Sequence, residues 1–236
     1  MNIVLFEPEE IACPLARSDE RAKHIVDVLR RREGDSFDAG AIDGLRGKAT
    51  VRSIGKDSID LEFDLQVEEP PLYPIDIIVG LSRPQTNRKI LQEATSLGVR
   101  SLSFVTTERG EPSYSTSKLW TTGEWRRHVI AGVAQAFTTR VPRVDYGMSL
   151  EAALDANEDA KLKIALDNYE AKLALSEFES DGDATVLALG SERGWTAGER
   201  QLFRDRKYTL AHLGTRPLRT ETATIAGIAL LLRSFV

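Results

Sequence analysis

The sequence predicts an α/β fold in which a small N-terminal β-barrel precedes a larger domain with a mostly parallel sheet. Two observations support this prediction. The first ~70 residues contain short alternating runs, "KATVRSI" and "SIDLEF", which are typical of short strands. From Ile75 onward, apolar strand-like runs alternate with helical segments. The acidic, proline-bearing "VEEPPLYP" has the composition of a linker, so we expect domains at residues 1–70 and 74–236.

In the N-terminal domain, "SDERAKHIVDVLR" predicts an amphipathic helix. Ser18 is the expected N-cap, and Ala22, Ile25, Val26 and Leu29 fall on one apolar stripe. The turns "IDGLRG" and "GKD" bound the strands that follow the helix. Several short strands in so few residues predict a small barrel.

In the C-terminal domain, strands and helices alternate. Gly98 should end the helix "NRKILQEATSLG", and Thr121 with Glu124 has the spacing of a capping box for the helix "TTGEWRRHVIAGVAQAF". The expected strands are "IDIIVGL", "SLSFVTT", "LKIALD", "ATVLALG" and "YTLAHLG". This alternation predicts a parallel sheet covered by helices on both faces.

Composition excludes several classes of protein. The single cysteine, Cys13, rules out a disulfide framework and a multi-cysteine zinc site, and indicates a reducing cytosol. The three histidines lack ligand spacing, so we expect no metal. We also expect no signal peptide and no membrane span. The chain contains neither a dinucleotide-binding G-x-G-x-x-G after a strand nor a P-loop. The net charge of −5 disfavours nonspecific nucleic-acid binding but allows local basic patches.

Two glycine-containing loops follow predicted strands. The strand in "ATVLALGSERGWTAGERQLF" ends at Gly190, and Thr196 with Glu199 forms a capping box for the next helix. The strand in "YTLAHLGTRPLRTETATIAGIALLL" ends at Gly214. Ligands bind beyond the carboxyl ends of parallel strands, where loop backbone and a helix start suit a heterocycle and an anion. Simple turn geometry is the alternative interpretation of these glycines.

The pair "LGSERG" and "LGTRPLRTETA" resembles the SPOUT superfamily of RNA methyltransferases, most closely the bacterial 16S rRNA uracil-N3 methyltransferase family. The resemblance covers nearly the whole chain and includes "HIVDVLRRREGD", "ILQEATSLGV", "TTER" and "AQAFTTRVPRV". It implies a PUA-like RNA-binding barrel followed by a trefoil-knotted α/β domain. It further implies a cytoplasmic homodimer that binds S-adenosylmethionine and methylates N3 of a uridine in 16S rRNA of the small ribosomal subunit.

The resemblance also assigns roles to individual residues. Arg219 and Glu221 are the candidate catalytic residues. Arg219 would stabilise a developing uracil anion or hold a phosphate, and Glu221 would orient the loop or act as the base that takes the proton. A mutual ion pair is the alternative for both. From their charge, and not from the resemblance, Arg30, Arg31, Arg32 and Arg216 are the candidate RNA-binding residues. A charged helix end is the alternative for the first three, and simple solvent exposure is the alternative for Arg216. The implied cofactor-binding residues are Leu166, Asp167, Leu189, Gly190, Glu192, Arg193, Gly194, Leu213, Gly214, Leu218, Arg219, Thr220 and Thr222.

Some positions depart from the family pattern or have a second interpretation. Arg193 replaces a small residue, Ser96 replaces a glutamate, Ala134 replaces an acidic residue, and a basic residue is missing near Thr86. The sequence "LGSERG" is closer to that of ribose-methylating relatives, so a ribose 2′-O-methyltransferase is one alternative function. A non-catalytic RNA-binding or ribosome-assembly factor is a second alternative function. Trp195 could stack on a base or pack in the core. We expect His212 to be a core or interface residue.

Overall fold

The computed structural model describes residues 2–235, and the chain divides into two compact units. The N-terminal unit comprises Met1–Pro71 together with Val133–Val141, and the C-terminal unit comprises Leu72–Gly132 and Pro142–Val236. The first and last residues of the predicted domains, 1 and 236, lie outside the described range. The domain boundaries 1–70 and 74–236 stay predictions. The sequence analysis did not anticipate that residues 133–141 pack with the N-terminal unit.

In the described part of the N-terminal unit, five strands form one sheet in the order β1-β3-β4-β5-β2. The strands β1 and β3 pair in parallel, and the other pairs are antiparallel. The strands are β1 Val4–Phe6, β2 Leu15–Ala16, β3 Ser36–Ala41, β4 Arg46–Ile54 and β5 Ser58–Val67. The predicted strands 48–54 and 58–63 are confirmed. The sequence analysis did not identify β1, β2 or β3 individually.

The predicted N-terminal helix is shorter and less regular than expected. It consists of α1 (Glu20–Lys23) followed by a π-helical turn, His24–Val28. The predicted N-cap Ser18 is wrong, because the Asp19 side chain accepts the Arg21 N–H at 2.8 Å. The apolar stripe is confirmed: Ala22 and Ile25 are buried, and Val26 and Leu29 pack against the core of this unit.

Residues 133–141 are held to the N-terminal unit by hydrogen bonds. Ile3 N donates to Ala134 O at 3.3 Å, and Thr139 Oγ1 donates to Gly44 O at 2.6 Å. Arg140 Nη2 donates to Glu69 O at 3.0 Å and its Nη1 donates to Asp43 O. The guanidinium of Arg140 therefore has a structural function in this unit.

In the described part of the C-terminal unit, seven strands form a sheet in the order β10-β12-β9-β11-β6-β7-β8, and every pair is parallel. The predicted parallel sheet is therefore confirmed, whereas the trefoil knot stays an implication of the resemblance. The strands are β6 Tyr73–Gly80, β7 Val99–Thr106, β8 Arg143–Ser149, β9 Leu162–Leu166, β10 Leu173–Ala174, β11 Thr185–Leu189 and β12 Thr209–His212. The sequence analysis missed β8 and β10.

The remaining helices follow the strands along the chain. They are α2 Pro84–Ser96, α3 Lys118–Thr121, α4 Glu124–Gln135, α5 Leu150–Asp155, α6 Ala197–Asp205 and α7 Thr220–Leu232. Gly98 has φ +78° after α2, as a helix stop requires. The predicted capping box of Thr121 and Glu124 is wrong, because Thr121 is the last residue of α3. Gly123, with φ +74°, breaks the chain between α3 and α4.

The helices of residues 2–235 are all too short or too polar to cross a lipid bilayer. Within the same residues, no three His, Cys, Asp or Glu side chains are grouped as metal ligands would be.

Candidate cofactor and RNA site

Three strand-end loops of the C-terminal unit converge on one cleft of about 890 Å³. They follow β9, β11 and β12, which are neighbours in the parallel sheet and therefore end at the same edge. Arg83 and Thr86, at the start of α2 after the next strand β6, complete the lining. The remaining lining residues are Leu166, Asp167, Asn168, Tyr169, Leu189, Gly190, Ser191, Glu192, Arg193, Gly194, Trp195, Leu213, Thr215, Arg216, Pro217, Leu218, Arg219, Thr220, Glu221 and Ala223.

Most of the predicted site residues lie in this lining, including both candidate catalytic residues and Arg216. Gly214 and Thr222 do not. Gly214 has φ +109°, so its conformation fits the simple-turn interpretation, and Thr222 is exposed on α7. Sequence reasoning missed Arg83, Asn168, Tyr169, Ser191, Thr215, Pro217 and Ala223 as site residues. Applying the strand-end rule to "IDIIVGLSRP" would have found Arg83.

The loop after β11 is folded tightly against the end of β6. A Cβ on Gly190 would lie 2.9 Å from Gly194 Cα, and one on Gly80 would lie 2.5 Å from Ser191 N. Gly194 itself has φ +63°, and its N–H donates to Ser191 O at 2.9 Å. These backbone approaches require glycine at positions 80 and 190, and they bring the loop to the edge of the sheet.

Two glutamates fix the ends of this loop. Glu192 Oε1 accepts the backbone N–H of Arg83 at 3.0 Å, which ties the loop to the start of α2. The predicted capping box of Thr196 and Glu199 is confirmed, with bonds of 2.8 and 3.1 Å. Glu199 Oε1 also accepts the Glu108 N–H at 2.9 Å, so α6 begins at a fixed position beside the site.

Asp167 lines the cleft, but its carboxylate is occupied by the protein. Its Oδ1 accepts the N–H groups of Tyr169 and Glu170 at 2.8 and 2.6 Å. Its Oδ2 accepts Arg200 Nε at 2.7 Å, and both side chains are buried. The Asp167 N–H donates to Ala211 O at 2.9 Å. Asp167 thus shapes the loop after β9, and the groups available to a ligand are on its neighbours.

Trp195 packs in the core and does not have a face free for a base. It is 1% exposed and packs edge-on against Phe203, with ring centroids 4.7 Å apart. Its Nε1 donates to Leu166 O at 3.0 Å. This bond joins the loops after β9 and β11, which supports the core interpretation of Trp195.

The start of α7 presents charged groups to the cleft. Arg219 is the N-cap residue and its side chain is exposed. Glu221 Oε1 lies 3.3 Å from Lys89 Nζ, so within residues 2–235 its ion pair is with Lys89 and not with Arg219. Hydrogen bonding to its own backbone N–H, assisted by Lys89 and Arg219, lowers the pKa of Glu221 below its ordinary value. Glu221 is therefore ionised at neutral pH.

His212 and the arginines of the N-terminal unit lie outside the lining. His212 Nδ1 accepts the Gly214 N–H at 3.1 Å, which supports the turn after β12. Arg30 and Arg32 are exposed, and Arg31 is half-buried. Arg30 has φ +53°, and the Arg31 N–H donates to Ile25 O at 3.0 Å, so the chain turns sharply after the π-helical turn.

Comparison with known proteins agrees with this architecture. The model of an RNA methyltransferase domain matches residues 68–232, and that of an RNA methyltransferase PUA domain matches residues 18–64. The fold and the cleft thus define the class of RNA methyltransferases with an α/β catalytic domain and an N-terminal PUA domain.

Individual relatives show which family of RNA methyltransferases the chain resembles. The chain is 35% identical to the ribosomal RNA small subunit methyltransferase E of Treponema pallidum, covering 98% of this chain and 91% of the relative. It is 31% identical to ribosomal RNA small subunit methyltransferase E 1 of Borreliella burgdorferi, covering 96% and 95%. The chain therefore belongs to the small subunit methyltransferase E family of RNA methyltransferases.

A solved structure has the same fold. The methyltransferase E of Neisseria gonorrhoeae, bound to S-adenosyl methionine, superposes with a TM-score of 0.78 at 24% identity. The match covers 99% of this chain and 97% of that one. The predicted fold class is confirmed.

Proposed function

We propose that this protein transfers a methyl group from S-adenosylmethionine to N3 of a uridine in the 16S rRNA of the small ribosomal subunit. The observation that carries the proposal is the convergence of three strand-end loops on one cleft in a chain of the methyltransferase E family. Relatives at 35% and 31% identity over nearly the whole chain carry that name. Cytoplasmic action follows from a ribosomal substrate.

The cleft has properties that suit S-adenosylmethionine. Its volume of about 890 Å³ is in the range of small-molecule sites. The lining combines polar groups with the exposed apolar side chains of Leu218 and Tyr169, which are 41% and 76% exposed. A nucleoside stacked there would remove this apolar surface from water. When bound, the cofactor supplies an electrophilic methyl carbon on its sulfonium.

Two charged residues at the start of α7, Arg219 and Glu221, are the protein groups that we relate to the methyl transfer. Uracil N3 must lose its proton, here to solvent, as it takes the methyl group, and negative charge develops on the ring and its oxygens when the proton leaves. Arg219 is exposed at the cleft and forms no ion pair within residues 2–235, so its guanidinium is free to stabilise that charge. The lowered pKa of Glu221 makes it a weak base. We assign Glu221 to holding Lys89 and the helix start, which revises its role as a proton acceptor.

We further propose that the protein acts as a homodimer and that Arg216 and Arg30 to Arg32 contact RNA phosphates. The helix α7 supports the dimer, because its sequence after Thr224 is apolar on every side. Only some of these residues are buried within the chain, and Ile225, Leu230 and Leu232 are half-buried. Helices that are apolar all round are normally buried on all sides. A second copy of the chain would cover the side of α7 that this chain leaves half-buried.

The proposal is tested on small ribosomal subunits from a strain that lacks this protein. Purified protein and S-adenosylmethionine should add one methyl group, which mass spectrometry of the nucleosides should identify as N3-methyluridine. Arg219→Ala should lower kcat by about a hundredfold, the size expected for one lost stabilising group, while calorimetry shows unchanged cofactor affinity.

The outcomes separate the alternatives. A ribose-methylated nucleoside would replace the uracil-N3 assignment with a 2′-O-methyltransferase. Failure of the wild-type protein to bind S-adenosylmethionine would leave a non-catalytic RNA-binding factor. Full activity of Arg219→Ala would remove the role given to that residue. Arg143→Gln, on the exposed edge strand β8, is the matched arginine control and should leave kcat unchanged.

A further inference from the structure

A second, smaller recess adjoins the cleft and is lined by three arginines. Its volume is about 70 Å³, and Arg83, Arg109 and Arg193 line it. The other lining residues are Leu81, Gly110, Glu111, Tyr114, Ser191 and Glu192. Since about 10–15 Å³ of such space holds one water molecule, the recess holds a few waters or one small anion. It is too small for a nucleoside.

The three guanidinium groups have no carboxylate partner. Within residues 2–235, none of Arg83, Arg109 and Arg193 forms an ion pair. The two carboxylates of the recess are occupied elsewhere: Glu192 accepts the Arg83 N–H, and Glu111 accepts the Ser113 hydroxyl at 3.3 Å. The recess therefore has an excess of positive charge in a chain whose net charge is −5.

Arginines without an ion pair are also found in the cleft. Arg216 and Arg219 also form no ion pair in the described part of the chain, whereas other arginines of the C-terminal unit pair with carboxylates. Both line the cleft, so unpaired cations follow one surface from the start of α7 to the recess. Among the described residues, these guanidinium groups lack a carboxylate partner, and the one bond among them runs from Arg109 Nη1 to Arg193 O at 3.3 Å. Such a line of cations fits a chain of phosphates, to which arginine donates two hydrogen bonds at once.

A buried hydroxyl provides independent support. Ser191 is 6% exposed, and its Oγ is buried with no hydrogen-bond partner. Ser191 lines both the cleft and the recess. A buried hydroxyl without a partner costs free energy unless a ligand supplies the bond. A phosphate oxygen in the recess would accept from Ser191 Oγ and from the arginines together.

We propose that this recess binds a backbone phosphate of the RNA next to the target nucleotide, held by Arg83, Arg109, Arg193 and Ser191. The inference rests on the proposed function. It adds a positioning site that fixes how far the target base reaches into the cleft, because the recess and the cleft share Arg83, Ser191, Glu192 and Arg193. Arg109 lines the recess but not the cleft, so changing it removes no side chain of the cleft lining. The change does remove the bond from Arg109 Nη1 to Arg193 O (3.3 Å), so cofactor affinity is measured for every variant.

The test compares Arg109→Gln with the wild-type protein, using unmethylated small ribosomal subunits as the probe. Binding is measured over a series of KCl concentrations at constant Mg²⁺. Loss of one phosphate contact should weaken binding about tenfold and reduce the slope of log Kd against log salt concentration by about 1. Arg109→Lys keeps the charge and should retain most of the slope. Arg143→Gln is the control and should match the wild-type protein.

Calorimetry with S-adenosylmethionine separates this proposal from the proposed function. Wild-type protein that binds neither cofactor nor subunits would overturn both. Normal cofactor binding by every variant, with a reduced salt slope for Arg109→Gln alone, would establish the recess as a phosphate site. An unchanged slope for Arg109→Gln would overturn it. Loss of cofactor affinity in Arg109→Gln, with RNA binding intact, would also overturn it and would assign the arginines to the cofactor carboxylate.

Discussion

At the scale of single residues, the cleft is shaped by side chains whose polar atoms bond to other parts of the protein. Asp167 and Trp195 line the cleft, yet their polar atoms bond to Arg200, to Leu166 and to backbone N–H groups. They determine the shape of the loops, and the residues beside them provide the rest of the cleft lining. Side-chain bonds of this kind hold the three loops in one geometry.

The buried pair of Asp167 and Arg200 provides a stability prediction. Asp167→Asn removes the buried counter-charge of Arg200 and leaves only the half-exposed Glu170, whose Oε1 lies 3.4 Å from Arg200 Nη1. We therefore expect the free energy of unfolding to fall by about 3 kcal/mol. Chemical denaturation without cofactor measures this loss.

Asp155→Asn is the matched control for this measurement. Asp155 pairs with Arg206 at 2.7 Å, but the pair is exposed to solvent. Removing it should cost less than about 1 kcal/mol. If the two substitutions lowered the free energy of unfolding equally, burial of the Asp167–Arg200 pair would not contribute to stability.

At the scale of elements, the contact between α2 and α4 depends on the ionisation of the Glu124 carboxyl group. Glu124 accepts Arg88 Nε at 2.8 Å and His128 Nε2 at 3.3 Å. These hydrogen bonds, Arg88 first, lower the pKa of Glu124 from its ordinary value to about 2. A carboxylate with a lowered folded-state pKa stabilises the fold above its unfolded pKa, and that stabilisation is lost as the pH falls toward 2.

We therefore expect Glu124→Gln to lower the midpoint of thermal unfolding at pH 7, and the difference from wild type to shrink between pH 4.5 and pH 2. Differential scanning calorimetry over this range measures the change. Glu158→Gln, at an exposed acidic residue, is the control and should leave the midpoint at pH 7 unchanged. A difference that is constant with pH would contradict the role of Glu124 ionisation.

The errors of the sequence analysis also occur at the scale of elements. Capping-box spacing with Glu124 predicts that a helix begins at Thr121, but Thr121 instead ends α3, and Gly123, with positive φ, separates α3 from α4. The sequence analysis missed β8 because this edge strand is largely exposed and lacks an apolar run. Local patterns predict elements that are buried on a regular face, and they fail where an exposed edge or a single glycine conformation decides the structure.

At the scale of the whole molecule, the predicted homodimer makes α7 an interface. Leu230→Glu places a charge on its half-buried apolar side, so the protein should sediment as a monomer where the wild type sediments as a dimer. Analytical ultracentrifugation measures this change. Gln201→Glu, on the exposed side of α6, is the control and should leave the sedimentation coefficient unchanged. A monomeric wild type would contradict the dimer itself.

The sequence by itself determined the α/β class, the parallel sheet, most strands, and two of the loops that form the cleft. It could do so because apolar periodicity and the turn residues at strand ends are local properties of the chain. The resemblance of "LGTRPLRTETA" added the family and its cofactor.

Only the tertiary structure decided which of these residues meet. The packing of 133–141 with the N-terminal unit, the pairing of Glu221 with Lys89, and the recess of Arg83, Arg109 and Arg193 each join segments far apart in sequence. Such contacts depend on strand order and on close backbone approaches at Gly80 and Gly190, and neither leaves a periodic signal in the chain.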